Sequence, residues 1–295
     1  GNVDSVPFPQ LSMAIVNERL RILREKNIPL IVQDARDYHG LSHTLTQVKP
    51  EAIVHLAAVS HANRSNKNPY STFDHSLRTL ENSLDYARQA SLKRFVYLSS
   101  SMVYGNFDGE AVTEESPCNP IGIYGALKLC GEKIVLAYNQ VFDLPYTIVR
   151  PSALYGERCV SRRVGQVFIE SALCGKGIFV SGDGSDKLDF TYIGDLVQGI
   201  ALCIERDQGL NQTFNLTFGQ GRAIREMAGI IEEEFPGIEV GSLAKDNFTP
   251  ERGTLSVDKA RRLLGYNPQF PIDRGYREYI NWYKDLKSRQ PELFH

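Results

Sequence analysis

The sequence predicts an α/β fold built on a doubly wound parallel sheet. Three observations carry that prediction. Short apolar runs of strand length at 28–32, 51–56, 95–98 and 144–150 alternate with longer stretches of helical periodicity. Two of these runs end in small or hydroxyl residues, His55-Leu56-Ala57-Ala58 and Ser99-Ser100-Ser101, where such strands open into a cleft. A long helical stretch after the serines carries Tyr124 and Lys128, which are four apart and so share one helix face.

The elements follow in order. Pro7 and Pro9 mark residues 1–10 as loop, and Leu11, Ile15, Leu20 and Leu23 give a helix over 11–26 with Asn27 as its stop. The strand at 28–32 runs into Asp34, a good N-cap for a following helix. The strand at 51–56 places His55 as a packed residue beneath its terminal loop, and a helix over 70–90 leads to the strand at 95–98. The loop 106–122 contains Glu114-Glu115, read as solvated surface or a helix-start signal. A helix over 123–142 and a strand over 144–150 then lead into Pro151-Ser152-Ala153-Leu154-Tyr155-Gly156.

From 156 the pattern becomes irregular, which predicts a smaller lobe. The expected division is 1–155 and 156–295, with 189–217 returning to the main body. Arg158, Arg162 and Arg163 form a basic cluster suited either to bidentate phosphate binding or to solvent at a helix start. Ser181-Gly182-Asp183-Gly184 reads as a tight turn, and Asp195 opens a helix to 204 as a cap or a tie between lobes. A strand over 214–217 and helices over 223–235, 258–264 and 272–286 complete the chain, Gly265 stopping the second of these helices.

Composition narrows the function. At 295 residues, with 42% hydrophobic and 23% charged residues, the chain can bury a substantial core. A net charge of -2 makes no electrostatic case for nucleic acid or an anionic membrane. No apolar run approaches the roughly 20 residues that span a bilayer, and the first residues do not read as a signal peptide. A cytoplasmic location is therefore expected. Cys118, Cys130, Cys159, Cys174 and Cys203 are odd in number, scattered and without metal-ligand spacing, so reduced packing thiols and no metal site are expected.

The chemistry centres on Tyr124. A free tyrosine has a pKa near ~10, too high for a base at neutral pH, and an ammonium one helical turn away lowers it. Ser100 can hydrogen-bond a substrate oxygen whose proton Tyr124 takes: acid/base chemistry on an alcohol–ketone pair, with the hydride passing to a cofactor. A lone Tyr-x-x-x-Lys is a weak signal. Here it follows a strand that ends in serines, at a spacing that lets helix and strand end meet.

Several further motifs point the same way. They are His55-Leu56-Ala57-Ala58, Ser99-Ser100-x-x-Val103-Tyr104-Gly105, Arg150-Pro151-x-x-x-Tyr155-Gly156, Asp189-Phe190-x-Tyr192-Ile193-x-Asp195 and Leu264-Gly265-Tyr266-x-Pro268. With Tyr124-x-x-x-Lys128 they make the chain, from about 34 to 283, resemble the extended short-chain dehydrogenase/reductases of the nucleotide-sugar epimerase/dehydratase group. The resemblance implies a Rossmann-type sheet, NAD in preference to NADP, a nucleotide-sugar substrate and a homodimer through the helices at 70–90 and 123–142. It also implies catalysis by Ser100, Tyr124 and Lys128. It places Asp34 and Ala35 at the adenine, and Leu56, Ala57, Ala58, Ser99, Tyr124, Lys128 and Pro151 along the cofactor. Ser100, Ser101, Ala153, Arg163 and Arg252 fall at the substrate.

Departures from the resemblance refine it. Dehydratases of the group carry an Asp-Glu pair where Ser101 and Met102 stand, so a 4-epimerase of a UDP-hexose or UDP-uronate is favoured. Ala153 replaces a common Asn, Leu188 a common Arg, and the helix positions Ser76, Thr79 and Leu80 an Asn and a Gly-Thr pair. An NAD(P)H-dependent 4-ketosugar reductase and a non-catalytic dinucleotide- or sugar-binding protein remain the alternatives. The group opens with a strand, a Gly-x-x-Gly-x-x-Gly turn and a helix, which this sequence lacks near residue 1. The expectation is that an N-terminal segment of the natural protein precedes Gly1; without one, cofactor binding should be impaired.

Overall fold

The computed structural model describes residues 9–59, 62–107, 109, 111–244 and 250–294. Helices α1 (Pro9–Glu25) and α2 (Tyr38–Val48) precede strand β1 (Ala52–His55). Helices α3 (Ala62–Lys67) and α4 (Pro69–Phe73) and a wide π-type turn at Asp74–Arg78 run into α5 (Thr79–Ala87). Strand β2 (Arg94–Leu98), helix α6 (Gly122–Phe142) and strand β3 (Tyr146–Arg150) follow. Then come β4 (Leu154–Tyr155), α7 (Val164–Leu173), β5 (Ile178–Ser181), β6 (Lys187–Asp189) and β7 (Thr191–Tyr192). Helix α8 (Ile193–Glu205), β8 (Gln212–Asn215), β9 (Gly221–Ala223), α9 (Ile224–Glu234) and β10 (Val240–Leu243) lead to α10 (Asp258–Leu264) and α11 (Ile272–Arg289).

Four strands form a parallel sheet in the order β1-β2-β3-β8. Alternation along β2 shows why both faces are covered. Phe95 and Tyr97 pack with Leu80 and Leu84 of α5 and Val135 of α6. Val96 and Leu98 point the other way, to Leu196 and Cys203 of α8 and Ala260 and Leu264 of α10. Every residue of β2 is buried, which is why its sequence reads as a continuous apolar run rather than an alternating one. Each such Leu or Phe contributes about 1.5–3 kcal/mol over its exposed state.

A second core joins α7, α9 and α11. Tyr276, Tyr279 and Tyr283 of α11, spaced three and four apart, bury one aromatic face against Phe168 and Met227. Leu11 and Ile15 of α1 pack into this same cluster. The Asp195 carboxylate accepts from the backbone N–H of Gln269 (2.8 Å) and Phe270 (3.0 Å), tying α8 to the segment before α11.

Two local expectations fail. Residue 9 is not loop, because Pro9 opens α1, where its missing N–H costs no hydrogen bond; Pro7 lies outside the described residues. No strand forms at 28–32: Leu30, Ile31 and Val32 are exposed, Val32 at 91%. A strand exists through its ladder, and the sheet's β1 edge offers this segment no pairing among the described residues. None of the described helices is long and apolar enough to cross a membrane.

Candidate active site

Because the sheet strands are parallel, their carboxyl ends open on one side. Ser99–Ser101 follow β2 there, and Pro151–Ala153 follow β3. Helix α6 brings Tyr124 to them. Gly125 permits the approach, since a Cβ at that position would stand 2.6 Å from the Met102 carbonyl oxygen. Gly122, with φ +79°, turns the chain into the helix. The N-cap Ile121 offers no side-chain acceptor, and Asn66 of α3 supplies one: its Oδ1 accepts from the Ile123 N–H at 3.2 Å.

These elements enclose a cavity of ≈ 370 Å³. Ser99, Ser100, Ser101, Tyr124, Pro151 and Ala153 line one side of it, and Arg163 and Arg252 line another. Met102, Leu188, Phe190 and Met227 add an apolar wall. No carboxylate side chain lines the cavity among the described residues. Ala153 sits at φ +36°, a strained conformation for a residue with a Cβ.

Electrostatics distinguish the polar groups. Burial holds the Tyr124 phenol above its ordinary value, contrary to the expected lowering, and a hydrogen bond with Ser100 and the positive charges of Arg163 and Arg252 offset this only in part. Lys128 is turned under the serine loop, where its Nζ donates to the Leu98 carbonyl at 2.5 Å and lies 5.2 Å from the Tyr97 ring centre. Burial lowers its pKa to about 8. The cations acting on Tyr124 here are therefore the two arginines, which differs from the expectation that Lys128 does so. Arg252 is held down to about 10, first by burial and then by repulsion from Arg163. Its Nε is buried without a hydrogen-bond partner.

Of the predicted cofactor residues, Ser99, Tyr124 and Pro151 line the cavity, whereas Asp34, Ala35, Leu56, Ala57, Ala58 and Lys128 do not. Asn82 of α5 donates to the carbonyl of Ala35 (2.9 Å), and Thr79, one turn before it, donates to that of Ala57 (3.3 Å). One helix face thus holds the Asp34–Ala35 and Leu56–Ala58 segments. Leu56 and Ala57 are exposed and Ala58 is half-buried. Asp34 does not cap α2. Asp37 does, accepting from the Gly40 N–H, while Asp34 pairs with Arg36 at 2.6 Å. His55 is buried between the loop and the Phe95 and Tyr97 rings, its pKa lowered to about 4 by burial.

Other expectations are corrected by long-range partners. Arg158 pairs with Glu18 of α1 and Arg162 with Glu170 of α7, so of the basic cluster only Arg163 lines the cavity. Glu114 is not solvated surface. Its carboxylate accepts from the Asn215 N–H at 2.8 Å, and burial raises its pKa. Two residues near the cavity were not singled out from the sequence. Glu132 accepts from Ser99 and Arg150; its place four residues beyond Lys128 on one helix face was the available signal. Asn66 had no signal, because the helix it caps is 57 residues away.

Known proteins resemble the chain in sequence and fold. The profile of the NAD dependent epimerase/dehydratase family matches residues 12–217. The Bacillus subtilis (strain 168) protein YtcB, described as an uncharacterized UDP-glucose epimerase, is 30% identical over 241 residues, 80% of this chain and 75% of that protein. The Thermus thermophilus UDP-glucose 4-epimerase, solved with NAD, superposes with a TM-score of 0.82 at 26% identity over 88% of this chain and 86% of that one. The Streptomyces venezuelae dTDP-glucose 4,6-dehydratase DesIV, solved as a double mutant with NAD and DAU bound, gives 0.81 at 27% identity over 88% and 81%. A parallel sheet opening on Ser100, Tyr124 and Lys128, with a profile match over most of its length, places the chain in the NAD-dependent epimerase/dehydratase family.

Proposed function

We propose that the protein is a nucleotide-sugar 4-epimerase acting on a UDP-hexose or UDP-uronate, with NAD as its cofactor. The observation that carries this reading is the cavity itself. It pairs a serine-bonded tyrosine with two mutually repelling arginines, one of which has a buried, unpartnered donor. Repulsion between two half-buried cations lining one cavity is relieved by an anion, and a sugar pyrophosphate supplies one of the right charge.

The residues present fit the nicotinamide end of NAD. Exposed Leu56 and Ala57 give a flat approach at the end of β1, beside Ser99 and Pro151 at the ends of β2 and β3. Asp34 and Ala35 would meet the adenine, and Lys128 the ribose. Bound NAD supplies a hydride acceptor that later returns the hydride. Tyr124 takes the proton from the sugar's O4 and gives it back after the keto sugar turns over. Ser100 donates to O4 and holds it toward Tyr124, while Ser101 and the strained Ala153 shape the sugar's seat. Arg163 and Arg252 anchor the pyrophosphate while the sugar turns. The apolar wall keeps water from the ketone. On this reading 1–155 hold the dinucleotide and 156–295 mainly the substrate, with 189–217 packed on the main body.

A lining without carboxylates among the described residues favours epimerisation over dehydration, because removing water across C5 and C6 needs an acid and a base beyond Tyr124. Incubation with NAD and UDP-glucose, UDP-galactose or UDP-glucuronate, followed by NMR of the products, tests the reading. The expected result is the 4-epimer of at least one sugar. Tyr124→Phe should lower kcat by about 10²–10⁴-fold with little change in KM. A 4-keto-6-deoxy product, or full activity in that variant, would overturn it.

A further inference from the structure

We propose that Glu132 is a positioning residue that keeps Lys128 cationic while fixing the end of β2. Lys128 and Glu132 lie one turn apart on α6 and grip consecutive residues. Lys128 Nζ binds the Leu98 carbonyl, and Glu132 Oε1 accepts from the Ser99 hydroxyl at 2.5 Å. The next residue, Ser100, faces the cavity. Glu132 is itself held from β3, its two oxygens accepting from Arg150 Nε (2.9 Å) and a terminal guanidinium nitrogen (2.7 Å). The carboxylate is 3% exposed and cannot swing away.

The groups around Lys128 leave this task to Glu132. On α6 the neighbours are Tyr124 and Glu132. From β2 come the Tyr97 ring and the Leu98 carbonyl; burial pushes the Tyr97 phenol far up, so it stays neutral. From β1 comes His55, also neutral near pH 7. From β3 comes Arg150, whose guanidinium is bonded to Glu132. Burial works against the ammonium, and Glu132 is the described group that favours it. Neutralising Glu132 therefore releases the Lys128 proton at lower pH. The consequence for turnover rests on the reading above that Lys128 holds the cofactor ribose: the alkaline limb of the kcat profile moves down with Lys128.

The test is an NMR titration of the Lys128 ¹³Cε signal in lysine-labelled protein, assigned by its loss in Lys128→Met. Four variants are compared with the parent: Glu132→Gln, Glu132→Asp, Arg150→Met, and the double Glu132→Gln/Arg150→Met. The double variant removes both buried charges, so it stays measurable if Glu132→Gln does not fold, and it is read against Arg150→Met so that the lost cation is common to both. The expected result is a downward shift of Lys128 by about 1 pH unit in Glu132→Gln relative to the parent and in the double variant relative to Arg150→Met, with recovery in Glu132→Asp. An unchanged Lys128 titration in both comparisons overturns the proposal. The kcat profile separates the two claims: a shifted titration with an unshifted alkaline limb leaves Glu132 in its role and removes Lys128 from catalysis.

Discussion

Two guanidinium groups flank the serine loop, and their surroundings differ in kind. Arg150, 6% exposed, gives two donors to the Glu132 carboxylate and further donors to the Tyr104 hydroxyl (2.9 Å) and the Glu114 carbonyl (3.2 Å). Those partners hold its charge firmly, well above the ordinary arginine value. Arg252 lines the cavity with a buried Nε that meets no acceptor, and Arg163 repels it. A buried cation whose carboxylate is supplied by the fold braces the fold. A half-buried cation whose buried Nε meets no acceptor, facing a second arginine, is arranged for an anion from outside.

The comparison can be broken most severely at Arg150. Arg150→Met strands Glu132 as an uncompensated buried charge and should cost about 3–5 kcal/mol, read as a lower urea midpoint. Glu132→Gln/Arg150→Met should recover most of that loss. A single variant as stable as the parent would show that the pair is not a brace.

His55 extends the comparison to a group kept neutral. Its folded pKa of about 4 lies below the ordinary ~6.5, so the unfolded chain binds more protons between those values. Its contribution to stability is fully present above pH 6.5 and is lost as pH falls toward 4. The loss is of order 3 kcal/mol at most. Urea melts at pH 7 and pH 4.5 should show a smaller difference in His55→Asn than in the parent. An unchanged difference would place the acid sensitivity elsewhere.

Arg252→Met sharpens the other half. It removes a donor to the anion and should raise KM about 10–100-fold, the equivalent of a charge-assisted hydrogen bond, while leaving the urea midpoint level or higher. A large stability loss with an unchanged KM would make Arg252 a second brace.

Legibility followed the range of the interactions. Phe95 to Leu98 read as a buried strand because both sheet faces are covered, and Tyr124 and Lys128 share a helix face because four residues make about one turn. The serines and the tyrosine meet because α6 follows β2 in the chain and packs back on the sheet face that β2 presents. What stayed hidden was set by distant partners. Arg158 and Arg163 look alike in the sequence until Glu18, 140 residues before Arg158, claims one of them. Glu114 reads as surface until Asn215, 101 residues on, donates to it. The run 28–32 has strand composition but no ladder, which composition cannot reveal.

The central claim is that this cavity inverts C4 of a nucleotide sugar by removing and returning the same hydride. Product NMR after reaction with UDP-[4-²H]glucose or its uronate tests it directly. The account predicts deuterium retained on the inverted C4. Deuterium found at C6, or turnover without inversion at C4, would contradict it.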